Sequence, residues 1–229
     1  MQLYRSWWGK LKSVQSITII ETEEGSGGQT DETTILLPAE SFKNDNGFEY
    51  LYHELSHLWN VPITEEQGIS PRWEEGLATF CQVLAAEKLG DRPEGYTKER
   101  TNRNIRWLNA QVARNEELKA VPMSEYGNKN LTGFSYNHGA VLFATLYYYA
   151  GEEMFNRLIG GFYQELYKNG ASTKTFTDYC IKHGNDPQLK NIFDDWLYTT
   201  GYTSYISAAA TIDDIVAVFG SSILSPFGQ

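Results

Sequence analysis

Cysteine, histidine and long apolar runs are all scarce in this chain of 229 residues. Its two cysteines, Cys81 and Cys180, are too few for a disulfide framework, and each lies in an apolar stretch of helical character. We therefore expect both to be buried free thiols. No apolar run reaches the roughly eighteen residues of a membrane-spanning helix, so no membrane segment is expected. The first twelve residues lack a secretory signal, so we expect a cytoplasmic protein or an excised part of an extracytoplasmic one.

Positive charge is also scarce, because 19 Lys and Arg residues face 29 Asp and Glu residues and give a formal net charge of -10. An acidic surface repels phosphate backbones, so nucleic acid is not an expected partner. What is present is an ordinary globular composition, with 41% hydrophobic and 21% charged residues. The 14% of aromatic residues predicts a core rich in rings.

The beginning of the chain has a different pattern from the rest. Residues 16–20 and 33–37 are β-branched and apolar, and residues 24–29 between them are glycine-rich, which predicts two strands joined by a loop. From residue 48 onward, apolar residues recur at helical spacing. Helices are predicted over residues 50–59, 73–89, 94–118, 136–149, 152–167, 176–183 and 187–198, with a short closing helix after residue 206. The prediction is an α+β protein with a β-rich part at residues 1–46 and a helical part at residues 47–229.

Two of the four histidines, His53 and His57, stand four residues apart in a predicted helix. At 3.6 residues per turn they share one face, so both imidazoles can bind one zinc ion at about 2.0–2.1 Å. Glu54 is adjacent on the helix surface, and its carboxylate can take a proton from a metal-activated water without being a ligand. The alternative is a chance spacing on an amphipathic helix, which is common for a bare pentapeptide of this kind.

A catalytic zinc takes three protein ligands and keeps one position open. Glu74 and Glu75, at the start of the next predicted helix, are the candidates for the third ligand, and either carboxylate can serve. Acids also favour a solvated helix start because of the helix dipole, which accounts for Glu74 without requiring Glu75. Thr79 and Gln82 lie on the helix face of Glu75, where they either orient a zinc-binding imidazole or are ordinary helix residues.

The order HELSH, a short loop and WEEGLATF resembles the gluzincins, above all the aminopeptidase N-like zinc peptidases. This resemblance implies that one Zn²⁺ is bound by His53, His57 and Glu75, with Glu54 as the general base. The run HELSHLWNV is also similar to the glycyl aminopeptidases, which have a longer loop before the third ligand.

Further along the chain, FSYNHGAVL is similar to the family's Tyr-x-Lys-Gly segment, and FDDWLYTTG resembles the end of its catalytic domain. The likeness implies that Tyr136 stabilises the oxyanion, whereas His138 replaces the Lys and receives no role. It also implies a thermolysin-like catalytic domain, with a small amino-terminal β-sheet part packed on a mostly helical body and the cleft between them. The larger family proteins carry further domains, so this chain is expected to be part of a longer protein.

The chain departs from the family in one segment. Aminopeptidases of the family carry a Gly-Ala-Met-Glu-Asn-type segment whose Glu helps to hold the free amino group of the substrate, but the corresponding residues 25–30 contain no Glu. The residues therefore give no support for exopeptidase action. The strand at residues 33–37 is still expected to bind extended peptide by edge pairing.

The sequence thus predicts a zinc metallopeptidase that acts on a peptide or protein substrate. Two alternatives remain. A non-catalytic module that keeps the metallopeptidase fold and binds peptides agrees with the missing Glu. A hydrolase of another small amide or an epoxide would use the same metal chemistry.

Overall fold

The computed structural model describes residues 1–12, 16–31, 33–43, 47–65 and 72–221. These residues form a mostly helical protein with one small sheet. The strands are β1 (Thr18–Thr22), β2 (Gln29–Thr30) and β3 (Thr34–Pro38). The helices are α1 (Gln2–Trp8), α2 (Gly47–His57), α3 (Trp73–Lys88), α4 (Tyr96–Arg114), α5 (Glu116–Ala120), α6 (Ser135–Ala150), α7 (Glu152–Leu166), α8 (Thr173–Gly184), α9 (Gln188–Phe193), α10 (Tyr202–Ala208) and α11 (Ile212–Ser221).

The three-stranded sheet has the order β1-β3-β2. Strand β1 runs parallel to β3, with Thr18 opposite Thr34, and β2 runs antiparallel to β3, with Gln29 opposite Leu36. A turn reverses the chain before β2: Gly25 has a φ of 77°, and the N–H of Ser26 donates to the carbonyl of residue 23.

Three strand predictions need correction. The glycine-rich segment leads into the edge strand β2, and β1 begins two residues later than predicted. The strand predicted at residues 33–37 corresponds to β3, which lies in the centre of the sheet. Neighbouring strands already flank β3, so a peptide cannot add along its edge as expected, and the sheet edges are β1 and β2.

Most helix predictions agree with the structure to within a few residues. The exception is the predicted helix at residues 94–118, which breaks into α4 and α5 at Asn115. The backbone of Asn115 is extended, with a φ of -123°, and its side chain accepts the N–H of Glu117 to cap α5. The predicted helix at residues 187–198 starts as expected, with Asp186 accepting the N–H of Gln188, but it continues after α9 as a π-helical turn, Asp194–Tyr198.

Helices α3 and α6 cross with their backbones in contact. A Cβ atom added to Gly76 would lie 2.4 Å from the Cα of Gly139, so no side chain separates the two helices there. Glu75 precedes one glycine and Tyr136 lies one turn before the other. The crossing therefore brings the amino-terminal ends of both helices, with these two side chains, to the same place.

The remaining elements enclose this pair of helices. The closing helix predicted after residue 206 is present as α11, whose Ile215 and Phe219 are buried against the core. Cys81 and Cys180 are buried free thiols, as predicted, and burial raises the pKa of both. Within the predicted β-rich part, α1 is a helix that packs on α7. None of the helices in the described ranges is long and apolar enough to cross a membrane.

Candidate metal centre

Helix α2 presents both histidines of HELSH to the start of α3. The Nε2 atoms of His53 and His57 lie 3.2 Å and 3.4 Å from the same oxygen, Oε2 of Glu75. The ligand atoms of these three residues all lie within 4.8 Å of one another. Two imidazole nitrogens and one carboxylate oxygen are a donor set of catalytic zinc sites, so the residues present fit the metal that the sequence predicts.

The other ring nitrogen of each histidine contacts a side-chain amide. Oε1 of Gln82 lies 2.9 Å from Nδ1 of His53, which makes Nδ1 the donor and leaves the Nε2 lone pair for a metal. Nδ2 of Asn60 lies 2.8 Å from Nδ1 of His57, so Asn60 is the donor in this contact. A half-turn of the Asn60 amide would make its oxygen the acceptor of the Nδ1 proton and leave the Nε2 lone pair of His57 for a metal. Of the two candidates from the sequence, Gln82 reaches an imidazole, whereas Thr79 donates to the backbone carbonyl of Glu75 at 2.7 Å. Asn60 was missed because it lies beyond the end of α2, in a turn where its N–H donates to the carbonyl of His57, so no helical pattern singles it out.

Charge at the centre is balanced between Glu75 and the histidines. Burial opposes the ionised form of Glu75, but hydrogen bonds and charges from His53 and His57 outweigh it and hold the Glu75 pKa well below its usual range. Burial likewise opposes the charge on His57, and Glu75 outweighs it and raises the His57 pKa. Glu75 is therefore ionised at neutral pH, as a metal ligand must be. The neighbouring Glu74 is not in the cluster, and burial raises its pKa.

Glu54 faces the same cleft and is held by the sheet edge. Its side chain is buried, and its Oε2 accepts a hydrogen bond of 2.7 Å from the hydroxyl of Thr30 on β2. The Thr30 hydroxyl also donates to the backbone carbonyl of Glu54 at 3.0 Å. Gly28 packs so closely that a Cβ there would lie 2.2 Å from Oε1 of Glu54. The glycine-rich segment, which lacks the amine-holding Glu, thus fixes the carboxylate of Glu54 instead.

Tyr136 stands on the opposite side of the cluster, at the start of α6. Its ring stacks on His53, with the ring centroids 6.2 Å apart, and its hydroxyl accepts a hydrogen bond of 3.3 Å from Arg72. Burial and the nearby Glu75 charge raise the Tyr136 pKa, so the phenol keeps its proton at neutral pH. No pattern in the sequence singles out Arg72, because its contacts depend on how α3 meets α6.

His138, to which the sequence assigned no role, lies in the core. Its Nδ1 is 3.0 Å from the hydroxyl of Tyr126, and its ring packs against Trp196 and Tyr202. Complete burial lowers its pKa to about 3, so it is neutral. It shares α6 with Tyr136 but points to the other side of the helix.

The cluster lies on the wall of an open cleft of about 850 Å³. The cleft runs between the edge strand β2, helix α2 and the start of α3, and it continues past the end of α2. The residues that line it away from the cluster are Gly27, Gln29, Asp31, Tyr50, Leu58, Val61, Pro62, Ile63 and Tyr167. Its size is sufficient for a few residues of an extended peptide.

Three solved peptidase structures are similar to this chain in fold. A mutant M1 zinc metallopeptidase from Deinococcus radiodurans, bound to a Tyr-Ser-Ala substrate, aligns over 86% of this chain with a TM-score of 0.62 and 18% identity. A two-domain M1 zinc metallopeptidase mutant bound to L-arginine aligns over 85% with a TM-score of 0.64 and 17% identity. An aminopeptidase N family protein from Idiomarina loihiensis aligns over 86% with a TM-score of 0.63 and 15% identity.

The chain has an M1 peptidase fold. It spans 42%, 42% and 40% of these three chains, so it corresponds to about two-fifths of each. No protein-family profile matches the sequence, and no curated protein does so either. At this level of identity the likeness concerns the fold alone.

Proposed function

We propose that this chain is the catalytic part of a zinc-dependent peptidase of the aminopeptidase N-like, gluzincin type, with a thermolysin-like arrangement of sheet, helical body and cleft. One observation carries the proposal: the Nε2 atoms of His53 and His57 converge on a single oxygen of Glu75. Gln82 and Asn60 contact the opposite ring nitrogens. An imidazole whose second ring N–H donates to an oxygen, as that of His53 does to Gln82, is typical of metal ligands.

Five residues of the cleft then have defined tasks. His53, His57 and Glu75 hold one Zn²⁺, which when bound supplies a Lewis acid and lowers the pKa of a water toward about 7. Glu54 accepts a proton from the attacking water and delivers it to the leaving amine. Tyr136, which keeps its proton at neutral pH, donates a hydrogen bond to the carbonyl oxygen as negative charge develops on it.

The substrate is proposed to be an extended peptide or protein segment. Edge strand β2 lies beside the cleft and offers backbone groups for pairing, in place of the central strand β3. The segment at residues 25–30 has no carboxylate to hold a free amino group, so we do not restrict the proposal to aminopeptidase action. Further domains of a longer protein are proposed to complete the substrate site.

Metal analysis followed by a peptide assay tests this function. We expect one zinc per chain, hydrolysis of peptides with blocked as well as free amino ends, and loss of activity with a chelator that added Zn²⁺ restores. Zinc binding should also raise the melting temperature, because it binds the folded state only.

Three other outcomes of the same experiment would change the proposal. Cleavage of unblocked peptides alone would indicate strict aminopeptidase action. Zinc binding with peptide affinity but no cleavage would favour a non-catalytic peptide-binding module, which the missing amine-holding Glu makes the second candidate. Absence of bound metal at neutral pH would contradict the site itself.

Replacing Thr30 with valine tests whether the hydrogen bond from Thr30 orients the carboxylate of Glu54. We expect kcat to fall roughly tenfold, which corresponds to about 1.4 kcal/mol, near the lower end of the value of a hydrogen bond to a charged group. Zinc affinity should be unchanged, because Thr30 contacts no metal ligand in the described structure. The matched control is Thr18→Val on the far edge strand β1, which should not affect kcat. An equal kcat for both variants would show that Thr30 does not orient the base.

A further inference from the structure

Arg72 has an unusual backbone for its residue type. It stands immediately before α3 with φ 52° and ψ 40°, in the left-handed region that a residue with a Cβ seldom adopts. Such a conformation costs energy and persists where the surroundings enforce it, often at a functional site. Here it directs the side chain across the first turn of α3 and into the cleft, where Arg72 is one of the lining residues.

The guanidinium of Arg72 contacts two members of the candidate site at once. Its Nη2 donates to Oε1 of Glu75 and, at 3.3 Å, to the hydroxyl of Tyr136. The same guanidinium carbon lies 5.6 Å from the centre of the Tyr136 ring. The other oxygen of Glu75, Oε2, is the one that faces both imidazoles. The two oxygens of Glu75 therefore have different partners.

We propose that Arg72 is a positioning residue for Glu75: it binds Oε1, so that only Oε2 is available to the metal. The same guanidinium holds the phenol of Tyr136 in place beside Glu75. This inference rests on the proposed zinc function. A carboxylate held in this way binds with one oxygen, which keeps the metal at low coordination number and leaves a position open. A planar fork suits this task better than an ammonium group, because it offers several donors in fixed directions.

Arg72 has two expected effects on zinc affinity, and they are opposite in sign: its positive charge lowers the affinity, and its orientation of Glu75 raises it. A cation beside a Zn²⁺ site repels the metal, so removal of charge alone would tighten zinc binding. Loss of orientation weakens binding, typically by 10- to 100-fold when a group that orients a ligand is removed. We expect Arg72→Gln and Arg72→Lys to weaken zinc binding by roughly tenfold or more in a competition titration with a chelator. The matched controls are Arg103→Gln and Arg103→Lys, which alter an exposed Arg–Glu pair on α4.

A second readout follows the metal geometry and does not depend on activity. With Co²⁺ in place of Zn²⁺, the visible absorption of a four-coordinate ion is strong, and it weakens as coordination number rises. We expect weaker absorption for Arg72→Gln than for the unmodified protein, because both oxygens of Glu75 become available to the ion. In hydrolysis assays kcat should fall more than KM rises, since Tyr136 also loses its anchor.

Arg72→Gly separates positioning from folding. Glycine adopts the left-handed conformation without strain, so the melting temperature of the metal-free protein should not fall, whereas zinc affinity should. Unchanged or tighter zinc binding with an unchanged cobalt spectrum in Arg72→Gln would overturn the proposal. So would an Arg72→Lys variant that matches the unmodified protein, because charge would then be sufficient. Failure of the unmodified protein to bind zinc would instead count against the proposed function.

Discussion

Glu54→Gln is expected to lower kcat for peptide hydrolysis by about 10²- to 10⁴-fold, the usual contribution of a positioned general base. Glutamine has nearly the same shape, and its amide oxygen can still accept the hydrogen bond from Thr30. It cannot accept a proton at neutral pH, so the change removes the base and little else. Zinc content and melting temperature should match those of the unmodified protein.

The matched control for this substitution is Glu153→Gln, the same chemical change at an exposed position in the first turn of α7. We expect it to leave kcat unchanged. Rates for both variants are measured on zinc-loaded protein at several pH values. Full hydrolysis by Glu54→Gln would mean that another group accepts the proton. A loss of zinc in this variant would mean that Glu54 supports the metal centre.

Much of the candidate site could be predicted from the sequence, because its central residues are close along the chain. The spacing of His53 and His57 fixes a shared helix face, and the resemblance selected Glu75 over Glu74. The structure brings these three residues together. The predicted roles of Glu54 and Tyr136 remain hypotheses until the variants are measured.

The contacts around those residues could not be predicted in the same way. Thr30 reaches Glu54 only because β2 lies at the edge of the sheet beside α2, and Arg72 reaches Tyr136 only because α3 crosses α6. Such contacts join residues far apart in sequence, and no local pattern encodes them. Gln82 was within reach of inference because it lies seven residues after Glu75 on the same helix face.

In the fold, too, features set by neighbouring residues differ from features set by residues far apart in sequence. Helix ends depend on local groups, as at Asp186, whose side chain accepts the N–H of Gln188. The break at Asn115 has a local cause that helical spacing alone does not reveal. Strand order was not predictable, because a two-residue strand such as β2 carries too little pattern to show that it pairs with β3.

The contact between Gly76 and Gly139 is expected to tolerate no added carbon. In Gly139→Ala the new Cβ would lie 2.7 Å from the Cα of Gly76, and backbone cannot move aside as a side chain can. Overpacking of this kind costs about 1–3 kcal/mol, against a gain of about 0.5–1 kcal/mol from replacing glycine in a helix. We therefore expect a net decrease in the free energy of unfolding, measured by urea denaturation.

Gly220→Ala is the control, because Gly220 lies in α11 with nothing within 4 Å of the added carbon, and we expect it to be neutral or slightly stabilising. Gly76→Ala should destabilise the protein as Gly139→Ala does and also weaken zinc binding, since it displaces the neighbouring Glu75. The double variant should cost less than the sum of the two, because the first carbon already separates the helices. If the losses in the free energy of unfolding were additive, or if Gly139→Ala were as stable as Gly220→Ala, the two helix backbones would not be in tight contact.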